Sequence, residues 1–594
     1  MNSKIEGFLK PLSAIRFLVK KPLTIKVPFE PKAPSDNYRG IHSNDKDCCV
    51  GCGNCAKICP TEAIKMVKQD IKPKPGSTDL RPQVDYGRCC SCGLCVDVCP
   101  TGSLKLSASY LKISPKREDF VFVPDKSNYE GKGYTSDVNY ILLTLDSVDF
   151  VDERPYLERN KDFLWELLGF REPEARIEAL RCMGCGICVQ NCPAEMDIPE
   201  YLDAISKAQD EEALKLFYRT NPLPEICGIV CTHRCENNCV LGIRGEPIQI
   251  KYEKGFAASK FNNYEKIIAP SIKENGKKVA IIGGGASGLA AAYYLRLNGF
   301  NVHIFEAYKK LGGMMRYGIP RYRLPEDIID KEIKFIISMG VKVRLNTKVG
   351  SDIKLEKLLK DYDAVYLATG FHKGMMMGIP GEEATGVIEA VKMLRDVNGG
   401  KSVKIGNRVI VIGGGDVAMD ASRTALRLGA QEVIIMYRRR EIDMPARVDE
   451  IEAAKKETIK IMPQALPIEI MKKGRKVSGV KYIKTRMVDQ GPGKRPKPVP
   501  IEDKIYEMEI DTVIEAIGQR PDYSYLQKLL RDKLKLDSRG VRIVVDENGM
   551  TSVDGLYAGG DCVNHRGDIV SSVADAKKVA KAISKRFGIT FKLF

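Results

Sequence analysis

Three stretches of this chain carry the same arrangement of thiols, Cys-x2-Cys-x2-Cys-x3-Cys-Pro. They are Cys49, Cys52, Cys55 and Cys59 before Pro60; Cys89, Cys92, Cys95 and Cys99 before Pro100; and Cys182, Cys185, Cys188 and Cys192 before Pro193. Such spacing bends a short loop so that three thiolates converge on one iron–sulfur cubane, while the fourth, carried onward by the proline, reaches elsewhere. Zinc and disulfides are the competing uses of cysteine. A lone CxxC pair would favour zinc, whereas a four-thiol run at this spacing favours iron and sulfide. The chemistry implied is one-electron transfer.

Two glycine-rich loops point to nucleotides. The apolar run Lys278-Val-Ala-Ile-Ile enters Gly283-Gly-Gly285-Ala286-Ser287-Gly288, a helix to Leu297, and a second strand ending in Glu306. Gly283 permits the tight turn, Gly285 lets backbone amides approach a pyrophosphate, and Gly288 lets helix and strand pack closely. Glu306 is placed to accept from a ribose hydroxyl. The second copy runs from Arg408-Val-Ile-Val-Ile through Gly413-Gly-Gly415-Asp416-Val417-Ala418 to a strand ending in Arg438, Arg439 and Arg440. Guanidinium groups where a carboxylate would sit suit a 2′-phosphate, so NADP(H) is expected there rather than NAD(H).

Stepping from these residues to the elements that carry them gives seven segments. A basic amphipathic extension is expected over 1–45, a domain with the first two cysteine runs over 46–125, and a linker over 126–172. A helical domain over 173–265 carries the third run, with Glu172–Leu180 and Tyr201–Phe217 as helices. From Lys277 the pattern alternates strand and helix: FAD-type segments over 277–400 and 531–594 flank an inserted NADP-type segment over 401–530. The fold class expected is multidomain α/β, joining an α+β two-cluster domain, an α-helical iron–sulfur domain and two Rossmann-like domains.

Composition narrows the function. Ten of the 19 cysteines fall between Cys48 and Cys99, eight between Cys182 and Cys239, and Cys562 stands alone. Cluster thiolates need reducing surroundings, which favours the cytoplasm. The net charge of +17 is spread over lysine-rich surfaces, with one Trp and no RNA-binding signature, so no nucleic-acid partner is expected. No segment qualifies as transmembrane and no secretory signal is visible. The five His residues are scattered, without a nucleophile set.

Several stretches resemble known families. The first two runs repeat the pseudo-symmetry of two-cluster ferredoxins, in which the fourth thiol of each run serves the other run's cluster. That resemblance implies one cluster on Cys49, Cys52, Cys55 and Cys99, and another on Cys89, Cys92, Cys95 and Cys59; Cys48 and Cys90 sit one residue out of the register and are expected to stand outside the clusters. The stretch Leu9-Lys-Pro-Leu-Ser-Ala-Ile-Arg-Phe-Leu-Val-Lys-Lys-Pro, with Asp85-Tyr-Gly-Arg-Cys, resembles the two-cluster subunit of complex I and of membrane-bound hydrogenases. It implies a large redox partner at the inner face of a membrane.

The third run, with Cys227, Cys231, Cys235 and Cys239, resembles the N-terminal domain of the glutamate synthase small subunit, also found in dihydropyrimidine dehydrogenase. The family pairing implies one cluster on Cys182, Cys185, Cys188 and Cys239 and another on Cys192, Cys231 and Cys235. The fourth ligand there is open: Lys254 stands at the family's ligand position but an ammonium cannot ligate, leaving Glu253, Gln249 or Cys227. Four-residue spacing would stack Cys227 to Cys239 on one helical face. Gly312-Gly313-Met-Met-Arg316, Tyr366-Leu-Ala-Thr369-Gly370, Met444-Pro-Ala-Arg and Ala558-Gly-Gly560-Asp561 resemble the same small subunit. The resemblance adds Gly313, Arg316, Thr369, Gly370, Gly560 and Asp561 to the FAD site.

Nicotinamide moves two electrons as hydride and clusters move one at a time; a flavin converts between them, and FAD is the flavin this chain provides for. The expected function is electron exchange between NADPH and ferredoxin or a complex I- or hydrogenase-like partner, through FAD and about four [4Fe-4S] clusters. The alternatives are an electron-donating small subunit of a glutamate synthase and a non-catalytic wiring subunit.

Overall fold

In each cysteine run a glycine follows the second thiol, and in each it opens a helix. Gly53, Gly93 and Gly186 have φ of 81°, 86° and 75° and cap the helices Asn54–Ile58, Leu94–Asp97 and Ile187–Asn191. A side chain would strain that left-handed turn, which folds the thiol loop back toward the helix that carries the third thiol.

The computed structural model describes residues 37–71, 77–110, 112–126, 133–135, 152–243, 245–268, 270–491, 495–524, 526 and 533–594, with short pieces between 14 and 35. The basic extension expected over 1–45, including the amphipathic stretch Phe8 to Lys26, therefore falls largely outside the described residues, as does much of 126–151. The chain divides into two units: Met1–Leu145 with Ile243–Glu246, and Asp146–Gly242 with Pro247–Phe594.

The smaller unit is built on small antiparallel sheets. His42–Asn44 pairs with Leu104–Leu106, and Leu80–Asp85 pairs with both Ile64–Lys68 and Val121–Phe122. Ile64, Val84, Val96, Leu104 and Leu106 form its core against the cysteines themselves.

The larger unit begins where a linker was expected. Asp152–Glu153 pairs with Leu167–Gly169, and the helix Tyr156–Arg159 lies between them, so the second half of 126–172 is folded. The helical segment follows. The stretch Tyr201–Phe217 proves to be two helices, Ile198–Ser206 and Asp210–Thr220. The expected one-face stack of Cys227 to Cys239 is also corrected. The helix Pro224–Val230 stops at Cys231, whose backbone is extended (ψ 149°), and Arg234–Asn237 starts anew.

Two five-stranded parallel sheets complete this unit. The first runs Lys342–Arg344, Asn301–Phe305, Lys278–Ile282, Ala364–Leu367, Leu556–Ala558. Its helix Ala286–Leu297 packs on the C-terminal helix Ile569–Arg586. The second runs Val387–Glu389, Thr512–Glu515, Arg408–Ile412, Glu432–Tyr437, Lys460–Pro463. Val387–Glu389 belongs to this inserted sheet, and Ala390, Met393 and Leu394 to its core, so the insertion starts before the expected 401. An antiparallel meander, Ala465–Lys473, Lys476–Val488 and Lys497–Glu509, interrupts the alternation expected to continue to the C-terminus. Among the described residues no helix is long and apolar enough to cross a membrane.

A buried ion network joins the two sheets and the segment 152–169. The Glu457 carboxylate accepts from Arg159 Nε at 3.1 Å and from Arg423 and Arg427, each at 2.7 Å. Arg323, from the first sheet's domain, pairs with Asp420 at 2.6 Å and with Glu450 at 2.5 Å. Burial alone would push the Glu457 carboxyl up, but the Arg427 and Arg423 guanidiniums overcome this and hold it at about 2, against an ordinary 4.5. A depressed carboxyl contributes its stability in full above its unfolded value and loses it as pH falls toward the folded one. Glu457→Gln is expected to cost about 3 kcal/mol at neutral pH, because it strands buried guanidiniums. It should also flatten the loss of stability between pH 4.5 and about 2, as followed by urea unfolding of both proteins across that range.

Candidate functional site

Sequence-distant thiols meet in the smaller unit. Cys49, Cys52 and Cys55 share a cavity of about 20 Å³ with Cys99. The thiols acting on Cys95 are Cys89, Cys92 and Cys59. Both groupings take three thiols from one run and one from the other. Burial, then the neighbouring thiols, push Cys95 up to about 12. Four such thiols can ionise together only beside strong cationic charge, which iron supplies. Cys49, Cys52, Cys55 and Cys99 stand around a cavity, as a polynuclear cluster requires. Cys48 and Cys90 are exposed.

In the larger unit Cys182, Cys185, Cys188 and Cys239 line another cavity of about 20 Å³. Burial raises Cys182 to about 12, with Cys185 and Cys239 adding to it. Cys192, Cys231 and Cys235 act on one another as a separate trio. Fully buried Tyr201 lies within electrostatic reach of both groups, of Cys188 in the first and of Cys235 and Cys192 in the second.

A cavity of about 500 Å³ opens at the first glycine loop. Of the expected FAD residues, Gly283, Gly285, Ala286, Ser287, Glu306, Gly313, Thr369, Gly370 and Asp561 line it. Gly288 does not; a Cβ there would lie 1.9 Å from the Gly283 carbonyl oxygen, so its role is helix–strand packing. Glu306 accepts from the Gly284 N–H at 2.7 Å and the Tyr308 N–H at 2.8 Å, and burial raises its pKa. That anchorage leaves its carboxylate at the strand end, facing the cavity. Burial, then Asp568, pushes Asp561 up to about 6.

Two more of the expected residues do not line the cavity. Arg316 turns away from the cavity: its Nε donates to the Leu311 carbonyl at 2.6 Å, and its guanidinium pairs with Glu326 at 2.7 Å and with Asp330. It fixes the Gly312–Gly313 turn instead. Gly560 donates its N–H to Asp575 at 3.0 Å, and its neighbours Gly559 and Asp561 face the cavity.

At the second loop Asp416 and Val417 reach the same cavity, whereas Gly413, Gly415 and Ala418 shape the turn and open the helix Asp416–Arg427. Arg438 is exposed at the end of Glu432–Tyr437 and forms no ion pair with the described residues. Arg439 donates to the Pro496 carbonyl at 3.2 Å, and Arg440 to Asp443 at 2.9 Å. Arg495, from the meander, reaches the Tyr437 hydroxyl at 3.2 Å, adding a cation that no local pattern announces.

Sequence reading also missed the seam between cavity and thiols. Val230 and Thr232, on either side of Cys231, line the cavity. So does Arg447, whose Nη1 donates to the Cys231 carbonyl at 3.2 Å and whose N–H donates to Asp416 at 3.0 Å. The Met444-Pro-Ala-Arg447 text was the available signal. Thr232 and Arg234 both donate to Asp568, at 3.4 and 2.6 Å.

Comparison with known proteins covers both units. The pyridine nucleotide-disulphide oxidoreductase model matches residues 277–580, the dihydropyrimidine dehydrogenase domain II 4Fe-4S cluster model 159–266, and the 4Fe-4S dicluster domain model 48–103. The beta subunit of an NADP(+)-dependent formate dehydrogenase from Moorella thermoacetica is 37% identical over 67% of this chain and 59% of its own length. The beta subunit of a NADPH-Fe(3+) oxidoreductase from Geobacter sulfurreducens is 34% identical over 72% of this chain and 67% of its own. The small chain of glutamate synthase [NADPH] from Escherichia coli is 34% identical over 75% of this chain and 98% of its own.

Crossed ligation in the smaller unit is testable by pairing substitutions. Cys59→Ala with Cys89→Ala should remove one cluster, since both thiols serve the same one. Cys59→Ala with Cys49→Ala should remove two. Spin quantitation of the reduced protein by EPR reads the difference; the reverse result would mean that each run holds its own cluster.

Proposed function

We propose that this chain, which belongs to the pyridine nucleotide-disulphide oxidoreductase family, exchanges electrons between NADPH and a one-electron redox partner through FAD and four iron–sulfur clusters. The observation that supports this reading best is the position of Cys231. It lies between two residues that line the nucleotide cavity, Val230 and Thr232, so a cluster on Cys231 borders the flavin site. Bound FAD would take up a hydride equivalent and release its electrons singly.

The residues then have separable roles. The Gly283–Gly288 turn and the N-terminus of Ala286–Leu297 receive the pyrophosphate, and Glu306 takes a ribose hydroxyl. Asp416 and Val417 bring the second nucleotide to the same cavity, with Arg438 and Arg439 at the 2′-phosphate. Cys192, Cys231 and Cys235 hold the cluster next to the flavin, and Cys182, Cys185, Cys188 and Cys239 the next one. The four-thiol sites of the smaller unit complete the route to the partner, a ferredoxin or a subunit of a complex I- or hydrogenase-like assembly. The relatives named as subunits of larger enzymes support a partner of this kind. The five His residues contribute no acid–base set, so the chain's own work is binding and electron transfer.

A clean preference for NADPH is expected in stopped-flow flavin reduction. Because Arg439 already donates to the Pro496 carbonyl, Arg438→Ala should cost the larger share of that preference. The expected loss is roughly tenfold or more, the worth of one charge-assisted phosphate contact. Unchanged selectivity in the Arg438→Ala, Arg439→Ala double variant would refute the assignment.

Removing both clusters of the smaller unit in the full chain, by Cys59→Ala with Cys99→Ala, should leave NADPH-driven flavin and dye reduction intact. Electron exchange with the co-purifying partner should be lost. Transfer at full rate would place the exit at the helical segment, as in an electron-donating subunit of the glutamate synthase kind.

A further inference from the structure

Three of the four cluster sites gather four thiols each. The site of Cys192, Cys231 and Cys235 gathers three and a lysine. The helices Pro224–Val230 and Ile250–Ser259 pack through Gly228 and Gly255, so closely that a Cβ on Gly228 would lie 2.4 Å from the Gly255 Cα. That contact sets Lys254, the residue before Gly255, beside the helix end where Cys231 begins the loop. Lys254 is only 4% exposed. Its ammonium lies 4.0 Å from the Met196 sulfur, and it forms no ion pair with a carboxylate among the described residues. The ionisable groups around it are the thiols of Cys231, Cys227, Cys235 and Cys192.

The other candidates for a fourth ligand face elsewhere. Glu253, about 100° round the helix from Lys254, has Glu178, Arg176 and Asp210 as its charged neighbours. Gln249 precedes the helix and donates its N–H to Glu178 at 3.0 Å. The buried Cys227 thiol bonds with Asn221 and has Lys254, Cys231 and Glu332 as its charged neighbours, one thiol of the trio rather than three.

We propose that Cys192, Cys231 and Cys235 hold a three-iron [3Fe-4S] cluster, with the Lys254 ammonium at the corner where a cubane would carry its fourth iron. An ammonium has no lone pair to ligate iron, and its charge repels a cation at that corner. A three-iron cluster leaves three bridging sulfides open there, and an ammonium has three N–H donors to meet them. The cluster's negative charge also answers the cost of a buried, otherwise unpaired cation. A fixed positive charge favours the reduced cluster.

The proposal rests on the iron–sulfur reading given above, and one experiment separates the two. The full chain is purified anaerobically and examined by EPR in the oxidised state, by Mössbauer spectroscopy after isotopic iron enrichment, and by iron analysis. The expected result is one three-iron spin system and about fifteen irons per chain rather than sixteen. Ferrous iron with a thiol reductant should leave the signal unchanged, whereas a cubane damaged by air would regain its iron. Lys254→Cys and Lys254→Gln should each lose the signal and gain about one iron per chain, while Cys227→Ala should keep it. Flavin content and circular dichroism verify that each variant is folded. Sixteen irons with no three-iron signal, or a three-iron signal appearing only in Cys227→Ala, would overturn the proposal and make Cys227 the fourth ligand in the latter case. About twelve irons, with no cluster on this trio at all, would instead overturn the wiring proposed for the whole chain.

Discussion

The geometry of the larger unit hangs on one carboxylate. Glu457 is fully buried and takes three guanidiniums, from Arg159, Arg423 and Arg427, each from a different turn or segment of the chain. Arg427 lies 3.8 Å from the ring centroid of Tyr322, which is contributed by the other sheet's domain. Buried ion pairs seldom add net stability over a well-packed apolar core, but they are exacting about distance and direction. What this one supplies is orientation. It holds the inserted sheet against the first so that Asp416 and Val417 open onto the cavity that Gly283 and Glu306 begin.

The helical segment is held by similarly directed contacts. Glu332, buried on the helix Glu326–Ser338, accepts from the N–H groups of Glu225 and Ile226 at 2.6 and 3.3 Å. It thereby satisfies the first turn of the helix that leads to Cys231, and those amides would otherwise be buried orphans. At the far end of that helix the Arg447 bond to the Cys231 carbonyl fixes where the chain leaves. Both ends are pinned by the nucleotide-binding domains, so the thiol nearest the cavity cannot drift independently of it.

What could be read from the sequence was whatever is encoded locally. The cysteine runs, the glycine loops and the strand that ends in Glu306 depend on neighbours a few residues apart, and they stand where the spacing implied. Errors arose where distant chain decides. Val387–Glu389 looks like a continuation of the first domain, but its pairing partner is Thr512–Glu515. Arg316 carries a family motif, and its carboxylate partners lie on a helix whose approach no periodicity reports. The meander between Ala465 and Glu509 is set by the pairing of three strands with one another rather than by the strand–helix alternation around it. The segment 152–169 is too polar to look like core; its polar groups are buried only because Arg159 and Glu166 meet Arg423 and Glu457. The smaller unit was the more legible because its sheets merely support two loops of fixed spacing.

The crossed thiols of that smaller unit make it a stitched object. One thiol group joins the beginning of the segment 49–99 to its end, and the other joins 59 to 89 inside it, one loop nested within the other. With strands of only two to six residues and a core of a few aliphatic side chains, the described part of this unit has little else to oppose chain entropy. A cluster on each group would act as a covalent cross-link that shrinks the unfolded ensemble, as nested disulfides would in an oxidising compartment. The supply of iron and sulfide then governs the fold of this unit as well as its potential. A chain starved of either would keep the sheets of its nucleotide-binding domains and lose the cross-links of this unit.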